Sequence, residues 1–203
     1  MAQISARRAA TQERLLDAAM EIIAEHGTEA ASVEEISERA GFTRGAFYSN
    51  FDSKDALFDA LIRREAERRV SEARQVLADI QPNTPLDELL DRAVRSFFST
   101  HPSDTQAAIV HTEMRLNAVR NPELRASYLK LNGDIMALIQ DLIETEAERQ
   151  GLRLLLPVSK LWSVLDGVFE NIIQTAVIEG HSPSSEESYE QLTLVLRAVI
   201  APK

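Results

Sequence analysis

The sequence contains no cysteine among its 203 residues. This absence excludes disulfide bonds, thiolate zinc sites, iron–sulfur clusters and cysteine nucleophiles. The chain also lacks an apolar run of about 18 residues, so we expect no membrane-spanning segment. Its first residues show no apolar stretch of the kind found in secretory signal peptides. We therefore expect a cytoplasmic protein that does not use the membrane as a partner.

Signals for catalysis are equally sparse. The chain has four histidines, and they are scattered without the i, i+4 spacing of a helical zinc site. Neither a G-x-S-x-G nucleophile motif nor a phosphate-binding P-loop is present. The acidic side chains lie mainly on faces that read as solvated helix surface. We therefore predict that the protein is not an enzyme and holds no metal and no cofactor.

Apolar residues recur at helical spacing along the whole chain, which predicts an all-α protein of about nine helices. Helix boundaries are marked by Gly27, by the capping box Ser32–Glu35, by Pro122 and by Gly180. Residues 152–158 could form a strand, but a lone strand has nothing to pair with. We therefore expect no strands.

Residues 32–58 contain two short helices joined by a tight turn, which is a helix-turn-helix pattern. Gly41 permits the backbone conformation of the turn, and Thr43 is placed to cap the second helix. The second helix opens with small residues, so its backbone could approach another molecule closely. Such a helix places its N-terminal residues against DNA base edges.

Aromatic residues are concentrated in the same segment, which holds five of the eleven aromatics in the chain. Phe47 and Phe51 are four residues apart and should share one face of the second helix. We expect both of them, together with Phe42, to lie in the core. Tyr48 should point away from that face.

Residues 40–54 read AGFTRGAFYSNFDSK and resemble the DNA-binding signature of TetR-family transcriptional regulators. The resemblance covers roughly residues 10–60, and Asn50 stands where the common pattern has histidine. It implies a DNA-binding helix-turn-helix domain over residues 1–55, with three helices and an N-terminal arm. It also implies a larger helical domain for ligand binding and dimerisation over residues 56–203.

The resemblance assigns the DNA contacts residue by residue. The DNA-binding residues would be Thr43, Arg44, Gly45, Ala46, Tyr48, Ser49, Asn50 and Lys54. Arg44, Ala46 and Ser49 would face base edges, since arginine pairs bidentately with guanine and alanine packs on a thymine methyl. Thr43, Tyr48, Asn50 and Lys54 would contact phosphates, and Lys54 lies in a first helical turn that itself favours a phosphate. Arg7 and Arg8 would precede the first helix in a flexible arm.

The two C-terminal helices are apolar on more than one side, which predicts a homodimer through residues 158–200. In the helix of residues 158–180, Leu161 and Ile172 mark one stripe, while Phe169 and Ile173 mark another. A two-fold dimer would place its recognition helices about 34 Å apart on a near-palindromic double-stranded DNA operator. The alternative is that both stripes serve only the core of the monomer.

Polar residues interrupt the apolar faces of the larger domain, as in a pocket for a small-molecule effector. The candidate ligand-binding residues are Phe97, Phe98, His111, Glu113, Met114, Asn117, Tyr128, Trp162, Asp166, Phe169 and Glu170. We expect a ligand-responsive regulator, a repressor released from its operator when ligand tilts the long helix at 54–80. The alternatives are a regulator gated by a protein partner, one that is not gated at all, and, more distantly, a helical enzyme.

The net charge of −10, from 22 basic and 32 acidic side chains, argues at first against a nucleic-acid partner. What matters, however, is where the basic groups lie. They cluster at Arg7 and Arg8, at Arg44 and at Lys54, although residues 1–55 are acidic overall. A small basic footprint predicts weak non-specific DNA binding with a modest salt dependence.

Overall fold

The computed structural model describes residues 2–82, 84–99, 104–182 and 185–203. These ranges are almost entirely helical, which confirms the all-α prediction. The elements in chain order are α1 (Ala2–Ala30), α2 (Val33–Arg39), α3 (Arg44–Tyr48), α4 (Lys54–Ala78), α5 (Leu86–Ser99), α6 (Asp104–Arg120), α7 (Pro122–Arg149), β1 (Leu152–Leu154), α8 (Val158–Glu179), α9 (Glu186–Val199) and β2 (Ile200–Pro202).

The expectation of no strands was wrong, because one short strand precedes α8 and another follows α9. β1 pairs with β2 in antiparallel register, with Leu152 opposite Pro202 and Leu154 opposite Ile200. The backbone N–H of Lys203 continues this pairing and donates to the Gly151 carbonyl at 2.9 Å. The partner strand lies far along the chain, after α9. A local sequence pattern therefore could not supply it.

Two compact units account for the described residues. The first comprises Met1–Ala66 and Gln106–Asn132, and the second comprises Glu67–Thr105 and Gly133–Lys203. The chain of α4 continues from the first unit into the second, and that of α7 does the same. Residues 106–132 thus belong to the same unit as the N-terminal helices. The functional boundary expected after residue 55 remains a prediction.

The first unit is organised around apolar stripes on α1 and α4. α1 is interrupted at Gly27, whose φ of 82° lies in the left-handed region, at the position where the sequence predicted a stop. Its apolar residues repeat at i, i+4, i+7 and i+8, which brings them to one face. The side chains that are no more than 1% exposed in this unit are Leu15, Ala19, Ile22, Ile23, Ala31, Ile36, Phe47, Leu57, Phe58 and Leu61.

The second unit is held by apolar packing and by ion pairs. Ile80, Leu89 and Leu152 form a buried cluster that joins the end of α4 to α5 and β1. Across the surface of α5, both Nη atoms of Arg95 donate to the carboxylate of Glu186 at the start of α9, at 2.8 and 2.9 Å. These hydrogen bonds lower the pKa of Glu186, although burial opposes the shift. They therefore tie α5 to α9.

The two apolar stripes of α8 are largely buried within the chain. Leu161 and Ile172 of one stripe are buried, and so are Phe169 and Ile173 of the other, for which we had expected a partner subunit to supply the covering surface. Val177, four residues after Ile173 on the same stripe, is 40% exposed, so the chain covers the second stripe only in part. Val164 and Ile178 of α8 and Leu194 of α9 are exposed as well. Among the described helices, none is long and apolar enough to cross a bilayer.

Candidate DNA-binding site

The two short helices of the predicted motif begin at the capping residues that the sequence indicated. The Ser32 hydroxyl accepts a hydrogen bond from the Glu35 backbone N–H at 3.1 Å. The Thr43 hydroxyl accepts one from the Ala46 N–H at 3.2 Å. Each cap satisfies a backbone donor that the first turn of a helix leaves free. Gly41 lies between the helices with a φ of 72°, which few residues other than glycine adopt.

A residue that sequence reasoning missed, Arg14, stabilises this turn. Its Nη2 atom donates to the carbonyl oxygen of Ala40, the C-cap of α2, at 2.7 Å. Its guanidinium carbon lies 4.6 Å from the ring centroid of Phe42. Phe42 is half-buried beneath this cation and is not part of the core, so our expectation for Phe42 was wrong. The i, i+4 stripe of α1 draws attention to apolar positions and carries no signal for the role of Arg14.

Two buried phenylalanines fix the second helix of the motif to the core. Phe47 is fully buried and Phe51 is 8% exposed, which confirms their assignment to the core. Their ring centroids are 6.0 Å apart, within the usual range for aromatic pairs. Tyr48 stands edge-on to Phe47 and is 49% exposed, so it points outward as predicted. The short α3 is thus fixed to the core by one face.

The opposite face of α3 brings most of the predicted DNA contacts together at the surface. Thr43, Arg44, Gly45, Tyr48 and Ser49 are all exposed. They fall within two turns, so their side chains share one small area. Ala46 is half-buried beside them. The arrangement leaves one arginine, one aromatic hydroxyl and several small groups facing solvent.

Ser49 and Asn50 use their polar groups within the helix. The Ser49 hydroxyl and the Asn50 side-chain amide both donate to the Ala46 carbonyl, each at 2.8 Å. The backbone carbonyl of Asn50 accepts from Gln12 Nε2 at 3.4 Å, which ties α1 to the end of α3. Within the described part of the chain, the buried Asn50 Oδ1 atom has no hydrogen-bond partner. Contacts of either residue with DNA remain predictions.

Lys54 lies at the first position of α4 and is half-buried. Its ammonium group donates to the carbonyl oxygen of Thr28 at 3.3 Å and lies 5.4 Å from the Phe58 ring centroid. The residue thus connects α4 to the segment that follows the interruption of α1 at Gly27. Its predicted contact with a phosphate would be made from this position.

Acidic neighbours occupy several basic groups of the first unit. Arg39 donates to Glu25 at 3.2 Å and to Glu21 at 3.4 Å. The hydrogen bond from Arg39 lowers the pKa of Glu25. Arg64 binds Glu13 at 2.9 Å and also lies 2.8 Å from an Asp17 oxygen. These pairs leave fewer uncompensated cations for DNA than the composition alone indicates.

Arg7 and Arg8 do not lie in an extended arm. α1 begins at Ala2, and both arginines are exposed on its first turns. The Thr11 hydroxyl donates to the Arg7 carbonyl at 3.0 Å, as is common within a helix. The expectation that they precede the first helix was therefore wrong. The apolar stripe begins only at Leu15, and for this reason the earlier, polar turns of the helix were missed.

The predicted ligand-binding residues are divided between the two units, so each group is described by itself. The first unit contains His111, Glu113, Met114, Asn117 and Tyr128. Trp162, Asp166, Phe169 and Glu170 lie on α8 in the second unit. The side chains of Phe97 and Phe98 lie outside the described residues.

Two of these candidates have a structural explanation within their own unit. Glu113 accepts weak hydrogen bonds from the backbone N–H and the hydroxyl of Thr28, at 3.5 and 3.4 Å. Met114 is only 9% exposed and packs as a core residue. A role of the whole set in binding a ligand remains a prediction.

One surface cleft of about 350 Å³ lies in the second unit, and none of the residues that line it is a predicted ligand-binding residue. Its lining residues are Val76, Asp79, Ile80, Asp91, Arg92 and Arg95. In the part of the chain that the structure describes, no group of three or more histidine or carboxylate side chains could hold a metal ion.

The segment that forms this site matches the model of a known family of bacterial regulators. The family model described as "Bacterial regulatory proteins, tetR family" matches residues 15–61. The chain is therefore similar to the TetR family over this segment. The matched segment includes all eight predicted DNA-binding residues and the buried phenylalanines beneath α3, and it begins one residue after Arg14.

Relatives of this chain are transcriptional regulators by name. It is 33% identical to the HTH-type transcriptional regulator UidR of Escherichia coli over 117 residues, which are 57% of this chain and 56% of UidR. The chain thus spans little more than half the length of that relative. It is 24% identical to the HTH-type transcriptional repressor AcnR of Corynebacterium efficiens over 192 residues, which are 95% of this chain and 94% of AcnR.

A solved structure shows the same fold beyond the matched segment. The transcriptional regulator FadR from Bacillus subtilis, in complex with stearoyl-CoA, superposes with a TM-score of 0.70 at 20% identity. The match covers 91% of this chain and 96% of FadR. At this level of identity the likeness establishes the fold alone.

Proposed function

We propose that this protein is a DNA-binding transcriptional regulator of the TetR family that reads its operator with α3. The main support is the exposed face of α3, which presents Arg44, Tyr48 and the Thr43 cap on a frame that Phe47 and Phe51 fix to the core. A short helix held in this way can enter the major groove without losing its shape. Because the operator would lie in chromosomal DNA, the proposal also implies that the protein is located in the cytoplasm.

In this proposal Arg44 makes the main base contact. It is the one arginine on the exposed face of the five-residue α3, and its side chain is 59% exposed. A guanine offers two acceptors, O6 and N7, which match two donors of a guanidinium. Thr43, Tyr48, Asn50 and Lys54 would fix the register through phosphates, and Gly45, Ala46 and Ser49 would allow close approach to the bases.

The protein would act as a homodimer through α8 and α9. Exposed positions over residues 161–178 carry no charged side chain, although a solvated helix face normally carries several. Val164 and Ile178 lie on this surface, and Leu194 of α9 is 70% exposed. A Cβ added at Gly167, which is also exposed, would meet no atom within 4 Å, so the chain itself does not explain the glycine. Interfaces between identical subunits are depleted of charge in their core, as this surface is.

Release of the protein from a palindromic operator by a small molecule is the proposed mode of control. AcnR is a repressor by name and the FadR structure contains stearoyl-CoA, which makes ligand-controlled repression a reasonable model for this chain. The ligand must bind the DNA-incompetent state more tightly, since equal affinity for both states shifts nothing. The proposal includes a division of roles near residue 55, with DNA binding in residues 1–55 and ligand binding and dimerisation in residues 56–203.

The proposal is tested by selection of binding sites from a pool of random DNA duplexes. We expect the wild-type protein to enrich a near-palindromic sequence with half-sites about one helical turn apart. Arg44→Ala should weaken binding to that sequence by about 1–3 kcal/mol and relax the preference at one base position in each half-site. Arg153→Ala removes the same charge from an exposed position of β1 and serves as the matched control.

Two outcomes would contradict the proposal. Failure of the folded wild-type protein to enrich any sequence would remove the DNA-binding function. Equal losses in Arg44→Ala and Arg153→Ala would remove the role of Arg44 as a base reader.

Control by ligand is tested separately by measuring operator affinity with a small-molecule library that includes stearoyl-CoA. Unchanged affinity with every compound would argue against ligand release.

A further inference from the structure

An acidic residue on α2 holds the arginine that we propose as the base reader. Arg44 Nη1 lies 2.6 Å from an oxygen of Glu34. Both side chains are more than half exposed. The ring centroid of Tyr48 lies 6.0 Å from the Arg44 Cζ atom. The Arg44 head group therefore has one anionic and one aromatic neighbour.

The position of this ion pair is compatible with base reading. A guanidinium has five N–H donors in a rigid planar fork, and a guanine uses two of them. Glu34 contacts Nη1, so the edge formed by Nε and Nη2 remains available for the two guanine acceptors. A flexible arginine must otherwise lose rotamer freedom on binding, and side chains that are already ordered lose less.

We infer that Glu34 is a positioning residue that determines specificity by orienting the Arg44 guanidinium toward one base. The inference rests on the proposed DNA-binding function and assigns a role to a residue outside the recognition helix. Glu34 carries a negative charge close to the DNA-facing surface, so it also opposes binding to phosphates in general. The residue thus weakens non-specific binding while it favours the correct base.

The test compares Glu34→Ala with Glu38→Ala. Both carboxylates are exposed and lie on the same short helix, so each variant makes the same change in charge. The measured quantity is the ratio of affinity for the DNA site selected by the wild-type protein to affinity for a scrambled duplex of equal composition. We expect Glu34→Ala to lower this ratio about three- to fivefold, the effect of losing an exposed ion pair. Glu38→Ala should leave the ratio unchanged.

Two further variants show whether Glu34 acts through Arg44. In the Arg44→Ala background, Glu34→Ala should have no further effect on the ratio, because the group to be oriented is absent. Glu34→Gln keeps an oxygen acceptor without the charge and should give an intermediate ratio. Circular dichroism checks the fold, which should persist because the Ser32 cap uses the backbone of Glu35 and not the Glu34 side chain.

The outcomes separate this inference from the proposed function. An unchanged ratio in Glu34→Ala, or an equal decrease in Glu38→Ala, would overturn the positioning role while leaving DNA reading intact. A decrease of the same size in the Arg44→Ala background would show that Glu34 does not act through Arg44. If the wild-type protein shows no preference for any duplex, the proposed function itself fails and the inference fails with it.

Discussion

Replacement of Gly41 by alanine should destabilise the helix-turn-helix by about 2 kcal/mol. Gly41 has a φ of 72°, a conformation that costs a residue with a Cβ about 1–2 kcal/mol. A Cβ at this position would also lie 3.0 Å from Arg14 Nη2. Arg14 would therefore have to move away from the Ala40 carbonyl that it now holds.

The magnitude is a balance of three effects. Backbone strain contributes about 1–2 kcal/mol. A hydrogen bond from a charged donor is worth about 1.5–3 kcal/mol, but Arg14 is exposed and can readjust, so we assign about 1 kcal/mol to its displacement. The lower entropy of the unfolded alanine chain offsets about 0.4–1 kcal/mol of this loss. The net cost is about 2 kcal/mol.

Urea unfolding followed by circular dichroism measures this cost, with Gly133→Ala as the matched control. Gly133 lies within α7, where an added Cβ would meet no atom within 4 Å. Alanine is favoured over glycine inside a helix, so Gly133→Ala should stabilise the protein by about 0.5–1 kcal/mol. The same chemical substitution is thus expected to have opposite signs at the two positions.

Arg14→Met then divides the penalty into its parts, because methionine keeps an apolar stem and removes the guanidinium. In that background the cost of Gly41→Ala should decrease to the backbone strain less the entropy offset of the unfolded chain. A change of less than about 0.5 kcal/mol in Gly41→Ala would refute the conformational argument. An undiminished cost in the Arg14→Met background would refute the role of the Arg14 contact.

Two further predictions concern the second unit. Ile178→Asp should convert the proposed dimer to monomer in analytical ultracentrifugation, whereas Leu129→Asp, at an exposed apolar residue of α7, should not; a wild-type monomer would contradict this. The hydrogen bond to Glu179 raises the pKa of His181 above its ordinary value. The contribution of protonated His181 to stability is therefore complete below about pH 6.5 and is lost as the pH rises through the folded-state pKa. NMR titration should give a lower His181 pKa in Glu179→Gln, and an unchanged pKa would count against this assignment.

Much of the helical organisation could be predicted because its signals are local. The Ser32 and Thr43 caps, the conformation of Gly41 and the end of α8 at Gly180 each depend on residues within one turn. The burial of Phe47 beneath an exposed Tyr48 follows from helical periodicity in the same way. The sequence predicts these features because neighbouring residues alone set the conformation.

The misses share a different cause. Arg14 reaches the turn from α1, and Glu34 reaches Arg44 from α2. Neither contact follows from spacing, because long polar side chains can point to several partners and local periodicity does not choose among them. The burial of Phe169 and Ile173 depends in the same way on what packs against α8.

By itself, the sequence determined the helices, their caps and the motif that resembles the TetR family. Those properties arise from short-range backbone conformation and from the periodicity of apolar side chains. Only the tertiary structure decided which cations pair with carboxylates, that β1 has a partner in β2, and which apolar face of α8 and α9 remains exposed. These features depend on groups distant in the chain, whose approach is decided by packing of the whole unit.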